Sequence, residues 1–355
     1  LSAPADCTVF SPNPQTVQDT SLATSTATTV PASPVSWQVN CANPSAHSFS
    51  VTADAAVDQL HVSDPNTANN SGSGSAVSSI TALSDIKMTS ATAAGPGSSS
   101  INTPFTVTGS ATIHNFGPYG PTNVDVDLTL SLPPDCTTSS PNPQTVQDTS
   151  LAVSSPVIVP ASPASWTVTC SSPSTHQLTV TGCAQIDQAH VTDPDTCSNS
   201  ASTNVFTVIT APTDVKVSGV TATAPTSVGI NTPFTVTGSA TIHNNGPYSP
   251  VNVDTTFTLT MPGDCTTSSS NPVSVQNTSL STSVPVTVPG SPVSWTVTCT
   301  SPSAHSFSVT ADAAVDQLHV IDTNTANNSN SGNATTSVTA TSDVKVSGVS
   351  VSAPA

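Results

Sequence analysis

Apolar and hydroxyl side chains alternate along this chain with a period of two. Phe105, Val107, Gly109, Ala111 and Ile113 fall on one face and Thr106, Thr108, Ser110, Thr112 and His114 on the other, the pattern of a half-buried strand. A second run sets Val124, Val126, Leu128, Leu130 and Leu132 inward against Asp125, Asp127, Thr129 and Ser131, and stops at Pro133-Pro134. Asn115-Phe116-Gly117-Pro118 supplies the turn between them. Asp85-Ile86-Lys87-Met88 predicts a short opening strand. A Pro-rich stretch to Pro163 carries only short apolar pieces such as Val157-Ile158-Val159. Trp166 to Cys170 then places Trp, Val and Cys on one face; strands follow through Leu178 and Val180 and from Val205 to Ile209, with a turn at Asp193-Pro194-Asp195. Helix is not expected, because 32 Pro are spread along the chain and no long 3.6-residue period appears.

The whole pattern recurs every 129 residues without insertion or deletion: Cys7, Cys136 and Cys265; Trp37, Trp166 and Trp295; His47, His176 and His305; Lys87, Lys216 and Lys345. Ser11–Ala23 is identical to Ser140–Ala152, and Pro44–Val62 to Pro302–Val320. One structural unit is copied in series. The expected divisions are residues 1–83 (a unit without its opening strands), 84–212, 213–341, and 342–355 as the first strand of a further unit. The chain reads as a window on a longer array, so the absence of a signal peptide or membrane span carries little meaning. Each unit has about seven to nine short strands, closely spaced turns and a Trp beside a bridge. The predicted fold is all-β, with tandem immunoglobulin-like antiparallel sandwiches held by intradomain disulfides.

Three cysteine pairs share a spacing of 34: Cys7/Cys41, Cys136/Cys170 and Cys265/Cys299. The fourth pair, Cys183/Cys197, stands where the first unit has Asp54 and Ala68 and the third has Asp312 and Ala326. Two positions that become Cys together in one copy predict a bond between them, making four disulfides and no free thiol. This usage points to an oxidising compartment, and without CxxC it does not suggest metal ligation.

Charge narrows the function. The three basic residues are all Lys and the twenty acids all Asp, for a formal charge of −17. Such a chain lacks the basic footprint that nucleic acid or an anionic membrane surface requires. No GxSxG, HExxH or phosphate-binding loop is present, and no catalytic residue is expected.

The turn and its sequel resemble a known family. Asn115-Phe116-Gly117-Pro118, Asn123-Val124 and Leu132-Pro133, with the copies Asn244-Asn245-Gly246-Pro247, Asn252-Val253 and Met261-Pro262, look like "N-x-G-P … N-V … L-P". Asp64 to Asn70 and Asp322 to Asn328 look like a closing "D-x-N-x-x-N-N", and Asp214 to Val217 fits the family's opening. The chain is similar over its whole length to a tandem surface-repeat domain of bacteria and archaea whose function is unknown. The resemblance implies an immunoglobulin-like fold, an extracellular location, and stalk, adhesin or wall roles without catalytic residues. The middle unit departs from it at Cys197-Ser198-Asn199, and a disulfide at the Trp strand is not general in that family.

Four sets of residues are candidates for chemistry. Lys87, Lys216 and Lys345 hold one position on the opening strands, and each is a candidate for an isopeptide bond to an Asn beside a buried Asp. Ile86 and Met88 point inward, however, which turns Lys87 outward. Asp64/Asn66, Asp193/Asp195 and Asp322/Asn324 are weak Ca²⁺ candidates. The position two residues on is Ala68, Cys197 or Ala326, which offers no oxygen, so an Asx turn explains them with less. His114/His243, His47/His176/His305 and His61/His190/His319 recur with nothing to bring them together into a metal site. Asn69, Asn277, Asn327 and Asn333 head glycosylation sequons.

The expected role is therefore structural: an array forming or decorating an extracellular filament, pilus-like fibre or cell-surface stalk. Its expected partners are other copies of itself, joined by strand addition. Constant spacing implies a constant rise, on the order of 40 Å per unit. The alternative is an adhesin or glycan-binding module with surface glycans as partners. Such a module would vary its loops over a kept core, whereas loops and cores are about equally preserved here. No cofactor other than Ca²⁺, and no membrane insertion in this segment, is expected.

Overall fold

The computed structural model of this chain describes residues 1–18 and 20–352. The fold is all-β, with no α-helix among the described residues. The first 83 residues form two ladders: β1 (Cys7–Val9) against β2 (Val39–Cys41), and β3 (Ala46–Asp54) against β4 (Ser71–Ser79). The short strand β5 (Ala82–Leu83) leads out.

The next copy is a complete sandwich. Its strands are β6 (Ile86–Ala94), β7 (Ser98–Ser100), β8 (Phe105–Asn115), β9 (Thr122–Ser131), β10 (Cys136–Thr138), β11 (Gln144–Leu151), β12 (Val157–Cys170), β13 (Thr175–Ile186), β14 (Val191–Thr192) and β15 (Ser200–Thr213). One sheet has the order β10-β12-β8-β6 and the other runs β11-β9-β13-β15, with β7 beside β15. The third copy repeats this: β16 (Val215–Thr223), β17 (Ser227–Gly229), β18 (Phe234–Asn244), β19 (Val251–Thr260), β20 (Cys265–Thr267), β21 (Val273–Leu280), β22 (Val286–Cys299), β23 (Ala304–Val315), β24 (Val320–Asp322) and β25 (Ser329–Thr339). Its sheets are β16-β18-β22-β20 and β17-β25-β23-β19-β21. These are tandem immunoglobulin-like antiparallel sandwiches.

Burial follows the alternation. Val107, Ile113, Val124, Val126, Leu128, Trp166, Leu178 and Val180 are fully buried and form one core cluster. Gly109 sits where the two sheets approach closely: a Cβ there would lie 2.8 Å from Val180. In the third copy Trp295, Phe257, Phe307 and Ile242 fill the same space.

Three disulfides form: Cys7–Cys41, Cys136–Cys170 and Cys265–Cys299, with Cα atoms 4.0–4.1 Å apart. Each joins residues directly opposite on neighbouring strands of one sheet. The flanking hydrogen bonds, such as Ser171 N–H to Asp135 O at 3.0 Å, make Cys136/Cys170 a non-hydrogen-bonded pair, the closer kind. The expected fourth disulfide is absent: Cys183 and Cys197 are both exposed free thiols. The register explains this. Cys183 on β13 faces Ser200 across the ladder, while Cys197 lies earlier, in a 3-10 turn at Thr196–Ser198. The two are therefore never opposed as the bridged pairs are. The three bridges place the chain outside a reducing cytosol.

The Pro-rich stretch is mostly strand rather than loop. β11 forms within it, and β12 runs through Pro160 and Pro163 because its register against β8 shifts between Val159 and Ala164; the bulge is where Pro, which cannot donate, is tolerated. Residues 340–352 are exposed and carry no ladder partner among the described residues.

Candidate functional site

The motifs of the sequence converge where one unit enters the next. Asn115 and Asn244, the first residues of the two N-x-G-P turns, are fully buried. Each ends a long strand of its unit (β8 or β18) and turns its amide back on its own turn. Asn115 Nδ2 donates to Tyr119 O at 2.9 Å, and Oδ1 accepts from Gly117 N–H at 3.0 Å. The same Oδ1 accepts from the hydroxyl of Ser84 at 3.0 Å. In the third unit Asn244 bonds Tyr248 O, Gly246 N–H and the Thr213 hydroxyl at 2.8, 2.9 and 2.8 Å. Ser84 and Thr213 belong to the segments that enter each unit, and both are fully buried.

The glycine of the turn is required by close approach, not by its backbone angle. A Cβ on Gly117 would collide with Ser84 and Asp85 backbone atoms, and one on Gly246 with Thr213 and Asp214. The N-x-G-P turn is thus a socket. The incoming chain is pressed against its glycine and held by Phe116 N–H to Asp85 O, or Asn245 N–H to Asp214 O, each 2.7 Å.

The closing motif grips the same segment from the other side. Asp193 Oδ2 accepts from Ile86 N–H at 3.0 Å and from Asn199 Nδ2 at 3.1 Å, while Oδ1 accepts from Asp195 N–H at 2.8 Å. Asp322 repeats this with Val215 N–H (3.2 Å), Asn328 Nδ2 (2.9 Å) and Asn324 N–H (3.0 Å). These Ca²⁺ candidates therefore direct their carboxylate oxygens at N–H groups of the opening strand and the Asx turn. At Asp64, the Asn66 N–H (2.9 Å) and then the Asn70 amide hold the carboxylate below the ordinary aspartate value; no opening strand meets it among the described residues.

Parallel pairing completes the junction. Ala82↔Val191 and Leu83↔Thr192 join β5 to β14; Ala211, Pro212 and Thr213, the end of β15, join β24 at Val320, Ile321 and Asp322. The ladder starts at a His in the left-handed region, His190 (φ 62°) or His319 (φ 63°), whose carbonyl accepts from Ala82 or Ala211 N–H at 2.9 Å. The recurring His190 and His319 are thus junction residues; His61 shares their left-handed backbone (φ 69°) but meets no entering strand among the described residues. The division expected at 212/213 falls inside β15, which spans both units without a break.

The lysines do not meet an Asn. Lys87 Nζ lies 3.7 Å from Asp85 and 5.8 Å from the Phe116 ring centroid, on the outer face opposite Ile86 and Met88. Lys216 is exposed and faces His243 across its ladder, and Lys345 lies in the exposed 340–352 segment. Lys87 thus lies on the outer face, as the alternation predicts, and the buried Asn115 and Asn244 are engaged in the sockets. Among the sequons, Asn69, Asn277 and Asn333 are exposed, whereas Asn327 is half-buried with Nδ2 bound to Asp214 at 2.9 Å.

The recurring His47, His176 and His305 form a second site, whose Asp partners the sequence reading did not name. His47, His176 and His305 are buried beside the three disulfides. Each ring nitrogen meets an acceptor: Nδ1 faces the carbonyl of Ser45, Ser174 or Ser303 at 3.0–3.1 Å, and Nε2 the carboxylate of Asp6, Asp135 or Asp264 at 2.7–2.8 Å. The hydrogen bond from His47 holds Asp6 below the ordinary aspartate value, as that from His305 does Asp264. At Asp135 burial pushes upward, but the His176 bond and backbone N–H groups outweigh it and the value is lowered. The Asp6 bond raises His47. The available signal was the Asp-Cys dipeptide, present in all three copies with a His 41 residues after the Asp. The sulfurs in these groups are bonded to each other and are not free ligands.

The sequence matches no protein-family model, and no curated protein is similar to it. Solved structures with some likeness include native Escherichia coli α-2-macroglobulin (13% identity, TM-score 0.21, covering 82% of this chain and 19% of that one). The elastase-activated form from Escherichia coli gives 13%, 0.21, 85% and 25%, and methylamine-reacted Salmonella α-2-macroglobulin 12%, 0.20, 78% and 19%. The chain spans a quarter or less of the length of these three proteins.

Proposed function

We propose that this chain is a structural repeat protein, forming or decorating an extracellular filament or a cell-surface stalk. One observation carries the reading: the segment connecting each unit to the next is itself a strand of the next unit, locked by a socket and by parallel pairing. Linkers that carry no ladder leave domains free to reorient; an array whose linkers are strands keeps direction over distance. Few charges and a hydroxyl-covered surface suit close lateral packing, and the exposed Asn69, Asn277 and Asn333 are its glycosylation candidates. Strand addition between copies is the mode of joining this supports. Residues 343–346 repeat the opening-strand pattern of Asp214 to Val217.

Electron microscopy of the native secreted material, without refolding, tests the reading. Straight filaments or rods with a regular axial repeat support it. Flexible beads on a string, together with saturable binding on a glycan array, would replace it with an adhesin.

A further inference from the structure

We infer that each complete unit is a shear clamp that carries tension along the array. The inference uses the reading above only for where the tension comes from; the clamp itself rests on strand polarity.

Among the described residues every ladder but four is antiparallel, and the four parallel ones have one thing in common. Each joins a segment near the start of a unit to a segment near its end. In the middle unit the entering strands β5 and β7 pair with β14 and β15 on the way out. In the third, the end of β15 pairs with β24, and β17 with β25. A pull on the chain acts on the entering strand from its N-terminal end and on the leaving strand from its C-terminal end. In a parallel pair those forces are opposed along the strands, so all the bonds of the ladder strain together and must fail together. An antiparallel hairpin pulled at its open end loses its bonds one at a time. Forced unfolding is governed by the unfolding barrier rather than by equilibrium stability, and that barrier is higher when bonds fail together.

Side chains thicken the two inner clamps at matching places. Thr207 donates to Pro96 O at 2.9 Å and Thr210 to Ser99 O at 3.3 Å, beside main-chain bonds from Val208 N–H to Gly97 O (3.0 Å) and Ile101 N–H to Thr210 O (2.9 Å). In the third unit Thr336 donates to Pro225 O at 2.8 Å and Thr339 to Val228 O at 3.2 Å, beside Ser337 N–H to Thr226 O (3.0 Å) and Ile230 N–H to Thr339 O (2.8 Å). Thr207 and Thr336 are fully buried or nearly so, and water does not compete for their bonds. The disulfide adds a second device. Cys136–Cys170 closes a span that contains β10, β11 and β12, and β12 pairs with β8 in the middle of its sheet. The span between the two cysteines stays a closed loop and cannot be extended even after the clamp fails.

Single-molecule pulling on the 355-residue chain, held by tags at its two ends, tests the inference. The expected trace has two high-force ruptures, one per complete unit, and residues 1–83, whose own ladders are antiparallel, open at lower force. With 129 residues per unit and a bridge closing a separation of 34, each rupture should add on the order of 30 nm with the bridge intact and about 42 nm after reduction, at ~3.6 Å per extended residue less ~4 nm of folded length. Val228→Pro removes a ladder N–H and should lower the third unit's rupture force about twofold, leaving the middle unit's unchanged. If that variant does not fold, Thr336→Val with Thr339→Val keeps the shape and should lower the same force by a smaller step. The inference is overturned if folded variants rupture at the wild-type force, or if the complete units yield at no higher force than residues 1–83. Absence of filaments in the microscope would sink the proposed function and leave this result standing.

Discussion

Residues 1–83 and the copy at 213–341 share most of their sequence but not their burial. Trp295 is fully buried, while Trp37, its counterpart, is half-exposed and lines an open groove. Val309 is buried and Val51, at the same position, is 37% exposed. The disulfide and the Asp–His pair are nonetheless intact in both: Cys7–Cys41 matches Cys265–Cys299, and His47 and His305 are equally buried at 3%. The difference separates two layers of stability. The staple of disulfide, His and Asp is local and forms from the closing half of a unit alone. The buried core depends on the opening strands, which in the complete copies supply β6 and β8 (or β16 and β18) beside the Trp strand and β9 (or β19) in the facing sheet.

The two segments should differ most at their tryptophans. Trp295→Ala should destabilise its unit by about 3–5 kcal/mol, and Trp37→Ala should cost less than about 1 kcal/mol, as surface changes do. Hydrogen exchange read separately for the two segments measures both. Equal losses would mean that the first segment has a core of its own.

Removing the staple should be the next largest effect. Cys265→Ser with Cys299→Ser frees a loop of separation 34, worth about 4 kcal/mol in the chain-entropy model. In the third unit the sandwich should survive at a lower melting temperature. In residues 1–83 the same change at Cys7 and Cys41 should abolish protection of the β3–β4 hairpin, because little else holds it.

The junction comes third. Gly246→Ala drives a Cβ into Thr213 and Asp214, an overpacking of about 1–3 kcal/mol. Its effect should be confined to the third unit and its joint with the second, and denaturant melts should show no change in exchange at residues 1–83.

The smallest effect is on pH. Asp6, Asp135 and Asp264 lie below the ordinary 3.8. Their contribution is therefore present above that value and lost as pH falls through the lowered ones. His47 is raised above 6.5, so its contribution is full below 6.5 and lost as pH rises through the raised value. Residues 1–83 should thus lose stability at both limits, and thermal midpoints across pH should show it. Asp6→Asn should flatten both limbs; unchanged limbs would remove the pair from the account.

Much of this was legible in the chain. The alternation at Phe105 to Ile113 and Val124 to Leu130 dictates strands with one buried face, and the 129-residue period dictates copies. What escaped was what alternation does not encode. The clamp strand β7 is Ser98-Ser99-Ser100, with no apolar face to read, and β11 and the first part of β12 lie among prolines that normally argue against strand. The N-x-G-P and D-x-N-x-x-N-N motifs were visible, but their common purpose was not, because Ile86 and Asp193 meet only after a whole sandwich has folded between them. Cys183 and Cys197 misled for a related reason: paired appearance in one copy suggested a bridge, but the ladder register sets Cys183 against Ser200.

The proposed function requires that consecutive complete units be welded by the socket and the parallel ladder. Small-angle X-ray scattering of the chain in solution, beside the Gly246→Val variant, tests it most directly. The expected result is a wild-type curve fitted by one fixed arrangement of residues 84–339, and a variant curve that needs a spread of angles at the second junction. A wild-type curve that already needs such a spread would contradict the weld, and with it the reading of this chain as a rigid array.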